Sequence, residues 1–216
     1  MGLYAQRQTT ELSVGDCRDL KRGCALARDL GHPLNTLVTF APYHGSLPTP
    51  AARSADLNRL LSHLRTKLRR WGVPWLGIWV WHSDETGRNP HVHIFLRCPA
   101  KRRPALRLAM MDIYPGRTID VSAGDDIRKR HSSGYWGSTL DYLCRFKSQR
   151  AYRADGGRAW RASVRDKTGR HVGIKSPITG KRWGCTRNLA QRAINSYWEA
   201  KAHERDAAMA AMPQVA

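Results

Sequence analysis

The sequence predicts an α+β domain, in which helices pack on one side of an antiparallel sheet. The predicted elements follow the order strand, helix, strand, strand, helix, strand, helix, and such a mixture is typical of this class. Two neighbouring apolar runs flank a turn sequence and predict a hairpin, which makes the sheet antiparallel. Of the 216 residues, 41% are hydrophobic and 25% are charged, so length and composition are those of one globular domain with at most a small appendage.

The first part of the chain predicts an N-terminal helical segment and then the first strand. Residues 1–33 form this segment, with its helix around residues 14–30 and a breaking sequence, Gly31-His32-Pro33, after it. The run LNTLVTF at 34–40 is short, apolar and rich in β-forming residues, so we expect it to be a strand.

An amphipathic helix and a hairpin follow. Apolar residues recur at helical spacing from Leu57 to Trp71, which predicts a helix with one buried face. The basic residues that precede them or fall between them, and that we therefore expect on its polar face, are Arg53, Arg59, Arg65, Lys67 and Arg69. The runs at 75–82 and 91–97 flank the turn sequence SDETGRNP and predict two antiparallel strands.

The remaining predicted elements are mostly helical. We expect a short helix at 104–111, a strand at 117–121, a helix at 138–149 with Ser138 as its N-cap, and a final helix at 188–212. The predicted organisation is thus the N-terminal segment, a central domain at 34–150 and a basic C-terminal extension with a helix at 151–216.

The charge of the chain points to a polyanionic partner. Thirty-seven Lys and Arg stand against seventeen Asp and Glu, for a formal charge of +20, which is typical of nucleic-acid-binding proteins. Between Arg145 and Arg187 the net charge is +11, so this segment is expected to contact DNA. No apolar run is long enough to cross a membrane and no secretory signal is present, so we expect a cytoplasmic protein without membrane contact.

The hairpin contains a pattern that predicts half of a metal site. His91-Val92-His93 lies in a strand, where side chains alternate by two, so both imidazoles project from the same face. A third ligand is expected from His82 at the end of the preceding strand, or from the turn, where Asp84 and Glu85 lie. Taken alone, two histidines at this spacing are also typical of a purely structural strand.

Three motifs in order resemble those of the HUH endonucleases, in the arrangement of the rolling-circle replication initiators (Rep type) of plasmids and phages. They are Thr39-Phe40-Ala41-Pro42, then Pro90-His91-Val92-His93-Ile94-Phe95, then Tyr142-Leu143-Cys144-Arg145-Phe146-Lys147. The resemblance covers about residues 36 to 150. It implies a sheet of four to five antiparallel strands with helices packed on it, a fold shared with RNA-recognition modules, and a metal site on the sheet surface.

The resemblance also implies the chemistry. By this resemblance, His91 and His93 bind a divalent metal, Mg²⁺ or Mn²⁺, and Tyr142 attacks single-stranded DNA at a replication origin to leave a covalent 5′-phosphotyrosine. The preference for His82 as the third ligand, with Glu85 as the alternative, comes from the hairpin itself. A host helicase and polymerase are the expected partners, because no phosphate-binding Gly-rich loop of an ATPase is present. The residues expected to bind nucleic acid are Thr39, Lys147, Arg150, Arg158, Arg161 and Arg165.

Two departures from the family pattern refine these expectations. Arg145 stands where many relatives have Lys, and a guanidinium can hold phosphate or the displaced strand but does not readily transfer a proton. Phe146 stands where two-tyrosine relatives have a second nucleophile, so a single-tyrosine enzyme is expected. Tyr135, just before the predicted helix, is the rival nucleophile.

Other functions stay open at this point. A transposase shares the motif order, whereas a relaxase places its tyrosine before the HUH motif, where the chain has only Tyr4. A third alternative is a noncatalytic module that binds single-stranded nucleic acid. Three tryptophans interleaved with basic residues are expected either to stack on bases or to fill the core: Trp136, Trp160 and Trp183.

Overall fold

The computed structural model of the protein has the expected α+β architecture, with a five-stranded antiparallel sheet and helices packed on it. The structure describes residues 8–125, 129–130, 136–154, 163–165, 171–173, 176, 178–179, 182–186, 189 and 191–210. No helix within these residues is both long and apolar enough to cross a membrane.

The described elements follow in chain order. They are β1 (Gln8–Thr9), α1 (Val14–Asp29), β2 (Thr36–Ala41), α2 (Pro50–Arg70), β3 (Gly77–His82), β4 (His91–Leu96), a 3₁₀ turn (Ala100–Arg102), α3 (Arg103–Ile113), β5 (Thr118–Ala123), β6 (Lys129–Arg130), β7 (Trp136–Gly137), α4 (Thr139–Leu143), α5 (Gln149–Ala154), β8 (Ser163–Arg165), β9 (His171–Gly173), β10 (Ile178–Thr179), β11 (Trp183–Cys185) and α6 (Gln191–Ala210).

The central sheet has the strand order β11-β3-β4-β2-β5, and every pair is antiparallel. The predicted hairpin is β3 and β4, and its register places His82 opposite His91. At one edge, Trp183 of β11 pairs with Val80 of β3. The predicted boundary at residue 150 therefore does not coincide with the end of the sheet, because the basic extension supplies one of its strands.

Helices cover both faces of the sheet, not one side as the sequence predicted. The leucines of α2 and the apolar side chains of α3 pack on Val92 and Ile94 of β4. On the opposite face, α1 and α4 pack on Val80 and Phe95. The sequence does contain a signal for this arrangement, because the run WLGIWVW at 75–81, most of which becomes β3, has no polar side chain. A strand that is covered on both faces shows such a continuous apolar run.

The helix predicted at 138–149 is two helices with a break between them. Ser138 caps α4 as predicted, in a capping box with Asp141. After Leu143 the chain leaves the helix, because Leu12 pairs with this stretch: its N–H donates to the Phe146 carbonyl at 2.8 Å and its carbonyl accepts from the Ser148 N–H at 2.9 Å. A contact with the N-terminal segment thus replaces helical hydrogen bonds that local propensity favours.

Arg53 also differs from its prediction. Within the first turn of α2 its side chain is 6% exposed, and its guanidinium lies 5.8 Å from the centre of the Trp81 ring. The expectation that Arg53 lies on the polar face of the helix is therefore wrong. Leu57, by contrast, is buried beneath α2 as its spacing predicted.

Candidate metal centre and tyrosine nucleophile

Three histidines meet at one end of the sheet. His82 is the last residue of β3, while His91 and His93 lie on β4, and the strand alternation turns all three imidazoles to the same face. One ring nitrogen from each, taken together, forms a set in which all atoms lie within 4.8 Å of one another. The structure thus brings His82 to the predicted pair, and the group could bind a metal ion.

The carboxylates of the hairpin turn are not members of this group. Asp84 accepts hydrogen bonds from the backbone N–H groups of Thr86 and Arg88, at 3.0 and 2.8 Å, and from the side-chain amide of Asn89 at 3.0 Å. It therefore holds the turn together. Glu85 is exposed in the same turn, so of the alternatives for a third ligand His82 is the one that lies with the pair.

Backbone carbonyls determine which nitrogen of two imidazoles carries the proton. His82 Nε2–H donates to the Leu143 carbonyl at 3.0 Å, and His91 Nδ1–H donates to the Asn89 carbonyl at 3.0 Å. Since a carbonyl can only accept, these nitrogens must be protonated, and the other nitrogen of each neutral ring has a lone pair. This is the way in which metal-binding histidines are commonly oriented.

The free nitrogen of His82 is the most informative atom of the group. His82 is 0% exposed, and among the described residues its Nδ1 has no hydrogen-bond partner. Buried polar atoms in folded proteins nearly always have a partner. A metal ion bound between the three rings would supply one, so the residues present fit a divalent metal.

His93 connects the group to Tyr142. Its Nδ1 lies 2.9 Å from the Thr39 hydroxyl, and its Nε2 lies 3.5 Å from the Tyr142 hydroxyl. Thr39 reaches His93 because the register of β2 and β4 places the two residues opposite each other. Thr39 was predicted to bind nucleic acid, and the described contact is to a histidine of the metal group.

The environment keeps the three imidazoles uncharged. Burial lowers the pKa of His82 and of His93 well below the ordinary value, and the neighbouring histidines and Arg145 lower it further. Burial also lowers the pKa of His91, against the opposing hydrogen bond to Asn89. Neutral imidazole is the form that binds metal, so the site is in its binding form at neutral pH.

Tyr142 lies beside this group on α4. Its ring centre is 5.0 Å from that of His93 and 6.2 Å from that of His82. The predicted neighbours are both present: the Arg145 guanidinium lies 4.1 Å from the centre of the Tyr142 ring, and Phe146 packs edge-on against His82 at 4.8 Å. Both reach the site from the turn after α4, not from a continuing helix.

Arg145 combines partial burial with an unused donor. Burial lowers its pKa from the ordinary value, and the neighbouring Tyr142 opposes that effect. Within the described part of the chain, its Nε has no hydrogen-bond partner. A guanidinium held beside a metal-binding group in this way offers its N–H donors to an anion, and a phosphate matches their fork geometry.

The predicted nucleic-acid-binding residues are only partly brought to the site. Lys147 is 2% exposed and lies in the bridge with Leu12, so its side chain is not presented at the surface, and its contact with DNA stays a prediction. Arg150 is exposed on α5. The other three predicted contacts are outside the described residues or have side chains that are not described: Arg158, Arg161 and Arg165.

Among the three tryptophans interleaved with basic residues, the structure describes one side chain, that of Trp183. Trp183 lies on β11, and its Nε1–H donates to Asp16 Oδ1 of α1 at 2.7 Å, so it joins the sheet to the N-terminal helix. Trp160 and the rival nucleophile Tyr135 are outside the described residues, and the side chain of Trp136 is not described.

Sequence reasoning missed the backbone partners of the site. The carbonyls of Leu143 and Asn89 have no sequence signature, because every residue has a carbonyl. Thr39 is different, since it stands in the first motif and lies opposite His93 once the strand register is known.

Comparison of the chain with protein-family models, with curated proteins and with solved structures finds no match. The resemblance to HUH endonucleases therefore depends on the three sequence motifs alone.

Proposed function

We propose that this protein is a metal-dependent enzyme that nicks and rejoins single-stranded DNA through Tyr142 and so initiates rolling-circle replication of a plasmid or phage. One observation carries the proposal: the Tyr142 hydroxyl lies 3.5 Å from a histidine of a three-imidazole group. That group includes a buried nitrogen, His82 Nδ1, without a partner among the described residues. Histidines that only stabilised the fold would not require a tyrosine hydroxyl beside them.

The residues that would hold the metal are His82, His91 and His93. When bound, a divalent ion polarises a phosphoryl oxygen of the scissile phosphate and offsets the charge that develops there. Imidazoles bind Zn²⁺ or Ni²⁺ more tightly than Mn²⁺, and Mg²⁺ or Mn²⁺ is the ion we propose for the reaction. Metal affinity alone is therefore not a guide to the ion that supports nicking.

Tyr142 forms the covalent bond to DNA. The Tyr142 oxygen attacks the phosphorus and forms a P–O bond to the 5′ side of the break, while the bond from phosphorus to the 3′ oxygen breaks. The phenol loses its proton and the leaving 3′ oxygen gains one, so a free 3′-hydroxyl remains. Joining is the reverse reaction, in which a 3′-hydroxyl attacks the phosphotyrosine.

Arg145 is proposed to hold the phosphate during this step. Its guanidinium lies over the Tyr142 ring, so an anion that it binds is next to the tyrosine. Because a guanidinium stays protonated in proteins, Arg145 orients the phosphate and does not transfer the proton.

The decisive experiment traps the covalent adduct. Purified protein is incubated with Mn²⁺ and a pool of single-stranded oligonucleotides that includes the origin of its own replicon, and adducts are separated on a denaturing gel. We expect an adduct with wild-type protein and none with Tyr142→Phe. Tyr114→Phe is the matched control, because its hydroxyl is buried on the other face of the sheet without a partner among the described residues.

Mass spectrometry of the DNA-linked peptide identifies the nucleophile. A link at Tyr142 supports the proposal, and a link at Tyr135 overturns the residue assignment while retaining the class of enzyme. Retained single-strand binding without any adduct would favour the noncatalytic binding module.

A further inference from the structure

A basic surface lies on the face of the sheet opposite to the histidines. It comprises the exposed half of the last two turns of α2 and the 3₁₀ turn before α3, and we name it the α2–α3 basic surface. Its members are Arg65, Lys67, Arg69, Arg70, Lys101 and Arg102. All are exposed except Lys67, which is half-buried.

The charge of this surface is not neutralised nearby. From Asp56 to Asp112 the chain has eleven Lys and Arg and four acidic residues. Asp84 and Glu85 lie in the turn between β3 and β4, at the other end of the sheet. Asp56 lies in the first half of α2 and Asp112 near the end of α3, away from the six cations along both helices. Within the described residues, none of the six side chains forms a hydrogen bond or an ion pair.

Position separates this surface from the candidate metal centre. The β3–β4 pair begins at Gly77 and Leu96 and ends at His82 and His91. The last turns of α2 lead into β3 at its Gly77 end, and the 3₁₀ turn follows β4 after Leu96. Six residues of strand span roughly 17 Å, so the basic surface and the histidines lie on opposite faces and at opposite ends of the sheet.

The aromatic residue within the surface does not form an open platform. Trp71 packs against the core that α2 covers, and Lys67 and Arg102 lie over its ring at 5.5 and 5.4 Å. Proteins that bind single strands without sequence preference use exposed aromatic rings on which bases stack. This surface offers exposed cations without an open aromatic ring instead, which favours contact with a phosphate backbone.

A rigid duplex suits these features better than a lipid surface. Helices that lie on membranes turn an apolar face to the lipid, but the apolar stripe of α2 is buried under the helix, with Leu60, Leu64 and Leu68 at 0% exposure. Duplex DNA presents one negative charge per about 1.7 Å of its axis. Four of the six cations are arginines, whose forks match phosphate oxygens.

We infer that the α2–α3 basic surface binds the phosphate backbone of a nucleic-acid duplex. This inference does not depend on Tyr142, on a metal or on the proposed nicking reaction. If the proposed function is also correct, the protein holds duplex on one face of the sheet while single-stranded DNA occupies the other.

The test compares two double variants of the full chain that lose the same charge. Arg65→Ala/Arg69→Ala removes two exposed cations from the surface, and Lys201→Ala/Arg205→Ala removes two exposed cations from α6. Alanine is the best helix former, so both helices should be retained. Binding of a short labelled DNA duplex is measured with EDTA present over a range of salt concentrations.

We expect the α2 variant to bind duplex several-fold more weakly, and the slope of log affinity against log salt to fall by about two, because each phosphate contact contributes about 0.9. The α6 variant should retain the wild-type slope. Equal losses in both variants, or wild-type binding by the α2 variant, would overturn the inference. A second variant in the 3₁₀ turn, Lys101→Ala/Arg102→Ala, should reproduce the result if the α2 variant does not fold.

Two further measurements separate this inference from the proposed function and from other polyanions. Tyr142→Phe should bind duplex as the wild type does, so failure to form a covalent adduct leaves the inference standing. If the α2 variant loses binding to single strands, or to vesicles of anionic phospholipid, but retains duplex binding, the inference is wrong.

Discussion

The two faces of the central sheet differ in the side chains that the same strands present. On one face, Val92 and Ile94 of β4 lie under the leucines of α2. On the other, His91 and His93 alternate with them and meet His82, and the end of the sheet that carries them lies beside Tyr142. Neighbouring residues of one strand point to opposite faces of the sheet. A substitution on the apolar face is therefore expected to change stability, whereas a substitution of the adjacent residue, on the histidine face, is expected to change metal binding.

Loss of a metal ligand from the histidine face should produce the largest effect, a fall in metal affinity. We expect His82→Ala to reduce Mn²⁺ affinity by more than about 100-fold, since a loss of about 10- to 100-fold is already typical when a residue that only orients a metal ligand is removed. Calorimetric titration of the metal-free protein measures this. Glu85→Ala is the control and should bind as the wild type does. Unchanged affinity in His82→Ala would make Glu85 the candidate ligand.

A substitution on the apolar face should lower the stability of the protein and leave its metal affinity unchanged. Ile94 is 1% exposed beneath the helices, and replacing a buried isoleucine by alanine removes about 2–5 kcal/mol from the free energy of unfolding. Urea denaturation of Ile94→Ala should show this loss while the metal affinity of the folded protein stays at the wild-type value. A fall in affinity comparable to that of His82→Ala would mean that the two faces are not independent.

A smaller effect is expected from the hydroxyl that orients His93. Thr39→Val removes the 2.9 Å contact to His93 Nδ1 and keeps the shape of the side chain, so metal affinity should fall by about 10- to 100-fold. Thr118→Val on β5 is the matched control on the same face of the sheet, and its titration should match the wild type. If both variants bind equally well, the Thr39 contact does not orient the ligand.

The smallest predicted effect is on the pH dependence of stability. In the metal-free protein, burial lowers the pKa of His82 and His93, so below the ordinary pKa of about 6.5 the unfolded state binds more protons than the folded state. Stability should therefore fall as pH decreases from 7 towards the lowered folded pKa values. Urea denaturation at several pH values should give a steeper fall for the wild type than for His93→Asn. Equal slopes would contradict the buried, neutral state of His93.

Local patterns in the sequence were enough to predict several features of the site. The shared face of His91 and His93 follows from strand alternation, and the Ser138 cap follows from its position before an apolar helix. The stripe of leucines in α2 predicted its buried face in the same way. Each of these depends on residues a few positions apart, whose geometry the backbone determines.

Tertiary structure decided what depends on distant partners. Leu12 ends α4 early by pairing with residues more than 130 positions away, which leaves the Leu143 carbonyl to accept from His82 and buries Lys147. In the same way, β11 completes the sheet from a segment predicted to be an extension. Secondary-structure propensity depends on residues close in sequence and does not predict such pairings, because a hydrogen bond or a buried contact between distant residues exists only after the chain has brought them together.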